Sequence, residues 1–320
     1  MNGFPLTPPR GLLAILGATA TGKTALAVAL AEELGGEVIS ADAFAAYRGL
    51  DVGTAKPTPE ERRRVPHHLI DIKDPRESWS AGEFVREARR VAEDVLARGR
   101  LPILCGGTGF YVRAFFEGLF EGPERDDRLR AALAVLRRRH GAGFLLRVLR
   151  LLDPASAAAL HEADRTRVVR LLEIALVTGQ PPSRLFVERP GARWERPCVK
   201  LLLTLPRPLL YGRIESRFRQ LFQAALPEEV ASLLAAGIPV TAPGFCAIGY
   251  RDTAEFLSGR IGRQEWEERV LRDTRRFAKR QETWFRREKA VLPLRADRSD
   301  LTSQAVALAR PLFFDEGGVS

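Results

Sequence analysis

Eight residues near the N-terminus constrain the fold of this chain more than any other feature. The segment Gly17-Ala18-Thr19-Ala20-Thr21-Gly22-Lys23-Thr24 matches the pattern G-x-x-x-x-G-K-[ST]. It follows an apolar run at 12–16 that predicts a buried strand, and it opens a helical pattern over 24–33. Glycines in such a loop let backbone N–H groups approach phosphate oxygens, and the helix N-terminus adds positive potential. We therefore predict a phosphate-binding loop (P-loop) made of these eight residues, with Lys23 supplying a full charge and Thr24 a ligand for Mg²⁺.

Short apolar segments and helical patterns continue to alternate after this loop. Segments 37–40, 102–105 and 199–204 are typical of buried strands, and 84–98 is typical of a helix. This alternation predicts an α/β fold: a P-loop core whose parallel sheet is flanked by helices.

The middle of the chain has a different character. From 126 to 178 only helical patterns occur, and 125–150 contains eight arginines against two acidic residues. A link rich in proline and glycine follows at 179–191. We therefore predict a catalytic core formed by residues 1–120 and 196–320, with a helical insertion domain at 121–195.

Bulk composition narrows the class of protein. The chain has 320 residues, 45% of them hydrophobic, and a formal net charge of +10, which favours polyanionic partners. No apolar run approaches the ~20 residues needed to cross a bilayer, and the N-terminus lacks a secretory pattern, so a cytoplasmic protein without membrane contact is expected. Three widely spaced cysteines argue against disulfides and zinc, and His67 and His68 are interpreted as structural.

A P-loop leaves the reaction open. Many nucleotide-hydrolysing enzymes place an aspartate at the end of an apolar strand to organise Mg²⁺. Here the strand at 102–105 runs instead into Gly106-Gly107-Thr108-Gly109. Asp42 and Asp71 each follow an apolar segment and could hold the metal. The pattern leaves nucleotide hydrolysis possible but does not favour it.

Six further segments occur in a distinctive order. Together with the P-loop they resemble the tRNA dimethylallyltransferase (tRNA isopentenyltransferase) family over nearly the whole chain, roughly 12–287. The segments are Ile39-Ser40-Ala41-Asp42, Tyr47-Arg48-Gly49-Leu50-Asp51-Val52-Gly53-Thr54-Ala55-Lys56-Pro57, His67-His68-Leu69-Ile70-Asp71, Gly106-Gly107-Thr108-Gly109-Phe110-Tyr111, Ile248-Gly249-Tyr250-Arg251 and Lys279-Arg280-Gln281-Glu282-Thr283-Trp284-Phe285-Arg286.

The resemblance implies a reaction and its partners. Members transfer a dimethylallyl group from dimethylallyl diphosphate to N6 of adenosine 37, beside the tRNA anticodon. The P-loop would then hold the donor diphosphate with Mg²⁺, rather than ATP. The partners would be the tRNA anticodon stem-loop and the donor, with a monomer as the default state and no obligate protein partner.

The resemblance also assigns roles to individual side chains. Asp42 would act as the general base that takes a proton from the attacking amine. Thr108 would hydrogen-bond near the transferring carbon or the bridging oxygen, and Arg217 would reach the diphosphate. Charge neutralisation by cations is what a leaving diphosphate requires.

Contacts with tRNA are implied at three places. The target base must be flipped out of the loop, so a channel near 42–45 (Asp42, Ala43, Phe44, Ala45) and Thr108 is expected. The family usually has Ser and Gln where this chain has Ala43 and Ala45, and Asn where it has Ala163. Basic side chains would hold RNA phosphates, while Phe277, Gln281 and Trp284 fall on another face of the same predicted helix. The expected RNA contacts are Arg130, Arg167 and Arg170 in the insertion, then Tyr250, Arg251, Arg276, Lys279 and Arg280.

Three alternatives remain at this point. A small-molecule P-loop kinase would use ATP at the same loop, and an AMP-specific isopentenyltransferase would use the same donor with a free nucleotide. A non-catalytic RNA-binding protein would leave Lys23, Asp42 and Thr108 without a role. The insertion and the basic segment at 272–287 weigh against the first two.

Overall fold

The computed structural model describes residues 8–313, and its centre is a six-stranded sheet. All neighbouring strands run parallel, in the order β3-β2-β4-β1-β5-β6. The strands are β1 Leu12–Gly17, β2 Gly36–Ser40, β3 His67–His68, β4 Leu101–Gly106, β5 Cys198–Thr204 and β6 Leu292–Arg295.

Helices connect these strands and cover the sheet. A π-helical turn at Phe218–Phe222 joins two of them, and short 3₁₀ turns occur at Pro243–Cys246 and Arg310–Leu312. The helices are α1 Lys23–Leu34, α2 Pro59–Arg64, α3 Ala81–Ala97, α4 Gly109–Glu117, α5 Asp127–His140, α6 Phe144–Leu152, α7 Pro154–Ala158, α8 Arg165–Thr178, α9 Pro182–Glu188, α10 Arg207–Arg217, α11 Gln223–Ala235, α12 Tyr250–Leu257, α13 Arg263–Phe285 and α14 Leu301–Ala309.

Local sequence explains where several elements begin and end. Strands β1 and β4 are buried throughout, as expected for the middle of a parallel sheet covered on both faces. Helix α3 starts with a capping box in which Ser80 accepts a hydrogen bond from the Glu83 N–H and the Glu83 side chain accepts from the Ser80 N–H. Helix α1 ends at Gly35, whose left-handed conformation suits glycine.

The predicted α/β class with a parallel sheet is confirmed, but two of the six strands are not among the predicted ones. No strand is predicted after 204, yet β6 pairs in parallel with β5. Its sequence is only four residues long and contains Pro293, which argues against a central strand. As an edge strand it needs hydrogen bonds on one side only, so the proline is tolerated. Strand β3, two residues long, was also not predicted as a strand.

The chain divides into two compact units. One contains the described residues up to Phe116 and from Glu195 onward, and the other is Glu117–Trp194. The insertion was predicted at 121–195, so the observed boundaries differ by four residues at one end and one at the other. The second unit consists of helices α5–α9 after the end of α4, around a core that includes Leu133, Leu149 and Leu172.

Other sequence expectations concern cysteines, histidines and membrane contact. Cys105, Cys198 and Cys246 are all free thiols. The His68 imidazole contacts the Glu37 carboxylate at 2.7 Å, and His67 Nδ1 contacts the Val65 carbonyl, so both rings have structural partners. No helix within residues 8–313 is both long and apolar enough to span a bilayer.

Candidate active site

The P-loop connects the carboxyl end of β1 to the first turn of α1. Its backbone is unusual at three positions, because Gly17, Ala20 and Gly22 all have positive φ angles, of 147°, 63° and 93°. Such a conformation costs an alanine free energy, and strain of this kind concentrates at functional sites. The Thr21 hydroxyl donates to the Ala18 carbonyl at 2.8 Å and stabilises the turn. The loop therefore turns sharply between β1 and α1, as the predicted phosphate-binding loop requires.

Lys23 lies at the start of α1 and points back into the loop. Its Nζ donates to the Ala18 carbonyl at 2.6 Å, and no carboxylate within 4 Å pairs with it among the described residues. Burial lowers the pKa of Lys23 to about 8, although the nearby Cys105 and Asp42 side chains oppose the shift. A lysine held this way keeps its charge at neutral pH and gains most from an incoming anion.

Thr24 occupies the first turn of α1, next to Lys23. Within the described residues its hydroxyl takes part in no hydrogen bond, so it is available to a ligand. A free hydroxyl beside a phosphate cradle suits Mg²⁺, which prefers oxygen ligands and keeps several waters and phosphate oxygens around it. The Thr24 hydroxyl therefore stays a candidate ligand for Mg²⁺.

Asp42 follows β2 at the same edge of the sheet. Its Oδ1 accepts hydrogen bonds from the N–H groups of Phe44 and Ala45, at 2.8 and 3.3 Å. Those two bonds fix the carboxylate, while Oδ2 has no hydrogen-bond partner in the region described. One oxygen is thus held for positioning and the other is free to accept a proton.

Thr108 follows β4, the strand between β1 and β2. Its Oγ1 accepts a hydrogen bond from the Ala43 N–H at 3.2 Å, which joins the two loops. The preceding Gly106 lies against the Ala41 carbonyl, and a Cβ there would approach it to 2.3 Å. Glycine is therefore required for the Thr108 turn to reach the Asp42 loop.

Arg217 is the last residue of α10, and the π-helical turn follows it directly. Its guanidinium lies 5.7 Å from the centre of the Phe222 ring and has no carboxylate partner within 4 Å among residues 8–313. Burial lowers its pKa, and the negative charges of Asp42 and Glu61 oppose that shift. Arg213, one turn earlier and not predicted, donates to the Thr21 carbonyl of the P-loop at 3.4 Å. Helix α10 thus brings arginine side chains to the P-loop.

These groups converge because of the strand order. Strands β2, β4 and β1 are neighbours, and the carboxyl ends of parallel strands lie along one edge of a sheet. The Asp42 loop, the Thr108 turn and the P-loop follow those three ends in that order. An anion-binding loop, a carboxylate and a hydroxyl are therefore assembled side by side.

Helix α13 presents a basic surface to solvent. Arg276, Lys279 and Arg280 are exposed, as predicted, and they line a shallow concavity around the Trp284 ring. Arg113 from α4 stacks over that ring at 4.6 Å from its centre. We name this set the α13 surface; it consists of Arg113, Arg276, Lys279, Arg280, Thr283, Trp284 and Arg287.

Comparison with known proteins identifies the family. A model of IPP transferases matches residues 45–288, which is most of the chain, and a model of isopentenyl transferases matches residues 10–73. The chain belongs to the IPP transferase family. The resemblance predicted from the ordered segments is thereby confirmed, as is the prediction of a transferase enzyme.

Individual members of the IPP transferase family show how much of the chain is shared. The tRNA dimethylallyltransferase of Geobacter sulfurreducens is 46% identical over 280 residues, covering 88% of this chain and 90% of the relative. The crystal structure of the tRNA isopentenylpyrophosphate transferase of Bacillus halodurans is 39% identical, with a TM-score of 0.68 and coverage of 94% and 95%. A eukaryotic dimethylallyltransferase acting on tRNA is 25% identical, with a TM-score of 0.80, over 94% of this chain and 79% of its own.

One residue predicted to contact RNA has a different role. Tyr250 is completely buried, and its hydroxyl donates to the Glu229 carboxylate at 2.5 Å. The same carboxylate accepts hydrogen bonds from the N–H groups of residues 51–53, at 2.7 to 3.3 Å. Direct contact of the Tyr250 side chain with RNA is therefore wrong, because the ring is sealed in the core and pins a loop. Arg251, the next residue, is exposed and remains a candidate.

Residues 43–45 divide between surface and core. Ala43 and Phe44 are half-buried, whereas Ala45 is only 4% exposed. The Ala45 side chain therefore has little surface to offer a base, although its N–H holds Asp42. Phe44 lies 6.3 Å from the Tyr47 ring, centre to centre. Of the residues in this segment, Asp42, Ala43 and Phe44 stay candidates for contact with the acceptor.

Arginines of the insertion are already engaged within the protein. Arg130 and Arg170 both pair with Glu173, which is fully buried, at 2.8 and 2.5 Å. Arg167 is exposed and pairs with Asp164, the residue that caps α8. Their predicted contacts with tRNA stay predictions, while the geometry adds a structural role that the sequence did not indicate.

The second candidate carboxylate for a metal is also engaged. Asp71 is held by Lys56 at 2.5 Å and by Arg62 at 2.7 Å, and Lys56 is almost fully buried. Burial alone would raise the pKa of Asp71, but these two hydrogen-bonded cations lower it. Two cations already neutralise the charge of Asp71, which weakens its attraction for a metal ion. Of the two aspartates, Asp42 is therefore the one that remains a candidate for binding a metal ion.

Proposed function

We propose that this chain transfers a dimethylallyl group from dimethylallyl diphosphate to N6 of adenosine 37 in tRNA. The observation that carries the proposal is the convergence of the P-loop, Asp42 and Thr108 at the ends of three neighbouring strands, in a chain that matches tRNA dimethylallyltransferases along most of its length. The products are N6-isopentenyladenosine and diphosphate.

Bond changes in this reaction can be assigned to the site. The N6 lone pair attacks C1 of the donor while the C1–O bond breaks, and that electron pair leaves with the diphosphate. The N6 proton goes to a carboxylate, for which the free Oδ2 of Asp42 is placed. Thr108, beside Asp42, can donate its hydroxyl proton to the bridging oxygen, since it only accepts from Ala43 in the described contacts.

Charge on the departing diphosphate is the main electrostatic demand. Among the described residues, Lys23 and Arg217 have no carboxylate partner within 4 Å, so their charges are available to the phosphates. Thr24 would hold Mg²⁺, which supplies further neutralisation when bound. Backbone N–H groups of the P-loop and the N-terminus of α1 complete an anion site.

The charge and the aromatic ring of the α13 surface support tRNA as the acceptor. The α13 surface combines four arginines and one lysine with an aromatic ring, a composition suited to RNA phosphates and unpaired bases. An adenosine inside an anticodon loop must be flipped to reach the site, which favours an enzyme that holds the flanking phosphates.

The alternatives explain less of the molecule. A kinase leaves the α13 surface unused, and β4 ends in glycines rather than in a metal-binding aspartate. An AMP-specific enzyme does not need the insertion, and this chain spans 90% of a tRNA dimethylallyltransferase. A non-catalytic RNA-binding protein leaves Lys23, Asp42 and Thr108 unexplained.

A labelled-donor assay tests the function. Purified protein, Mg²⁺ and radiolabelled dimethylallyl diphosphate are mixed with unmodified tRNA, with AMP, or with ATP plus RNA. Label in tRNA, mapped by nuclease digestion to the adenosine 3′ of the anticodon, is the expected result. Label confined to AMP would assign the free-nucleotide reaction instead, and ATP hydrolysis without any transfer would contradict prenylation altogether.

A further inference from the structure

Gln281 is a buried polar side chain that the reaction chemistry does not use. It lies on α13, is only 5% exposed, and is flanked by the buried residues Ala278 and Phe285. A buried amide costs free energy unless its oxygen and nitrogen both find partners. Its partners therefore indicate what the position is for.

The oxygen and the nitrogen of the amide contact two different loops of the candidate active site. Oε1 accepts a hydrogen bond from the Thr19 N–H of the P-loop at 2.8 Å. Nε2 donates to the Gly107 carbonyl, in the turn that carries Thr108, at 2.9 Å. Because Thr19 offers a donor and Gly107 an acceptor, the amide orientation is fixed by its partners.

Packing reinforces this link. A Cβ on Gly107 would come within 2.2 Å of Gln281 Nε2, and a Cβ on Gly109 would come within 2.2 Å of the Trp284 ring. The two glycines that flank Thr108 are thus small because side chains of α13 press against them. One helix therefore sets where the turn lies relative to the P-loop.

We propose that Gln281 is a positioning residue, which fixes the distance between the P-loop and the Thr108 turn and so shapes the site for the diphosphate and the reacting carbon. The inference rests on the proposed function for its substrate. Gln281 itself touches neither the substrate nor the reacting atoms. It acts through Thr19 and Gly107.

The two faces of α13 then have separable roles. Arg276, Lys279 and Arg280 are exposed, whereas Gln281 is buried against the P-loop. A change at Gln281 should therefore alter use of the donor and leave RNA affinity unchanged. If Gln281 merely stabilised the fold, its replacement would lower the melting temperature, but the folded variant would keep the wild-type KM for the donor and the wild-type affinity for RNA.

Gln281→Met is the first variant to test, because methionine matches glutamine in length and volume but makes neither hydrogen bond. We expect kcat/KM for dimethylallyl diphosphate to fall about 10- to 100-fold, the range expected for misplacement of a site by a fraction of an ångström to 1 Å. The KM for the donor should rise, and calorimetry with inorganic diphosphate and Mg²⁺ should show about tenfold weaker binding. Affinity for an anticodon stem-loop should stay within twofold.

Gln281→Glu and Gln264→Met complete the series. Glutamate keeps the acceptor for Thr19 but sets an oxygen against the Gly107 carbonyl and adds a negative charge near the diphosphate, so a larger loss is expected. Gln264 lies on the same helix, and its only side-chain hydrogen bond within the described part of the chain goes to Glu268 on the exposed side, so Gln264→Met should match the wild type. In the wild type, hydrogen exchange should show a protected Thr19 amide, a measurement that needs no variant.

Three results would overturn the inference. They are a donor KM and diphosphate affinity within twofold of wild type in folded Gln281→Met, an equal loss of RNA affinity, or a freely exchanging Thr19 amide in the wild type. If the wild type itself transfers no prenyl group to tRNA, the proposed function fails instead. Diphosphate binding and amide exchange still decide the role of Gln281 in that case.

Discussion

Cationic side chains are held in opposite ways in two regions of the molecule. At the carboxyl edge of the sheet, Lys23 and Arg217 are half-buried but have no carboxylate within 4 Å in the described chain. In the insertion, Arg130 and Arg170 share the buried carboxylate of Glu173. Partial removal of an unpaired cation from water is costly, so the presence of two such cations at this edge points to an anionic ligand. Paired cations in the insertion serve first to hold a helical unit together.

Changing Asp42 should have the largest effect, since it removes the proposed general base, while Asp42→Asn keeps the size and shape of the side chain. Asp42→Asn keeps Oδ1 as an acceptor for the Phe44 and Ala45 N–H groups, so the loop should persist. Loss of the base should lower turnover about 1000-fold, within the usual range for general bases. Single-turnover transfer and RNA affinity are the measurements, and RNA affinity should not change.

Asp74→Asn is the matched control. Asp74 Oδ1 accepts from the Arg76 N–H at 2.8 Å, the same two-residue pattern as Asp42 with Phe44, but in an exposed turn. Turnover should equal that of wild type. Near wild-type turnover in Asp42→Asn would remove Asp42 as the base.

Glu173→Gln tests the other side of the comparison. Glutamine leaves Arg130 and Arg170 without a counter-charge, which should destabilise the insertion by about 3 kcal/mol, as breaking a buried pair does. Chemical denaturation gives the free energy of unfolding. Glu188→Gln, which breaks the exposed pair with Arg184 in the same unit, should change it little. If both variants lowered the free energy of unfolding equally, the buried ion pairs of Glu173 would contribute no more stability than the exposed pair.

The lowered pKa of Glu173 predicts how the stability of the insertion depends on pH. Burial alone would raise its pKa, but hydrogen bonds from Arg130, Arg170 and the Asp126 N–H lower it to about 2. A lowered carboxylate pKa contributes stability that is full above the ordinary value of 4.5 and is lost as pH falls towards 2. The difference between wild type and Glu173→Gln should therefore shrink through that window. A constant difference would contradict the assignment.

The charge on Lys23 should give a smaller, graded effect. Burial lowers its pKa to about 8, with Cys105, Asp42 and Arg217 as the charged or titratable neighbours. Lys23 therefore loses its proton as pH rises through 8, and affinity for inorganic diphosphate should then fall about tenfold per pH unit. Calorimetry from pH 7 to 10 would show the break. Lys23→Ala should bind weakly and lack the break; a break that persists would assign it to another group.

Sequence predicted the edge of the sheet and the extent of the insertion well, but it missed individual buried partners, for a physical reason. The P-loop, Asp42 and Thr108 each follow a short apolar strand, and parallel strands bring their carboxyl ends together automatically. Glu173 and Tyr250 depend on partners that the local pattern does not indicate, so their burial was missed. The Gln281–Thr19 hydrogen bond joins residues 262 positions apart. The one sequence feature that indicates this contact is the pair of glycines beside Thr108, because small residues allow a neighbouring element to approach the backbone closely.

Single substitutions on the α13 surface should have the smallest effects, and they concern the affinity for RNA. Lys279 and Arg280 are exposed and have no ion pair within 4 Å in the described chain, so each should bind an RNA phosphate. Replacing either with alanine should weaken anticodon stem-loop binding a few-fold and reduce the slope of log K against log salt by about 0.7 to 1. Arg263→Ala, at the other end of the same helix and next to Glu267, should leave the slope unchanged. An unchanged slope in both Lys279→Ala and Arg280→Ala would move the RNA phosphates away from α13, and the anion-binding cations would then be confined to the edge of the sheet.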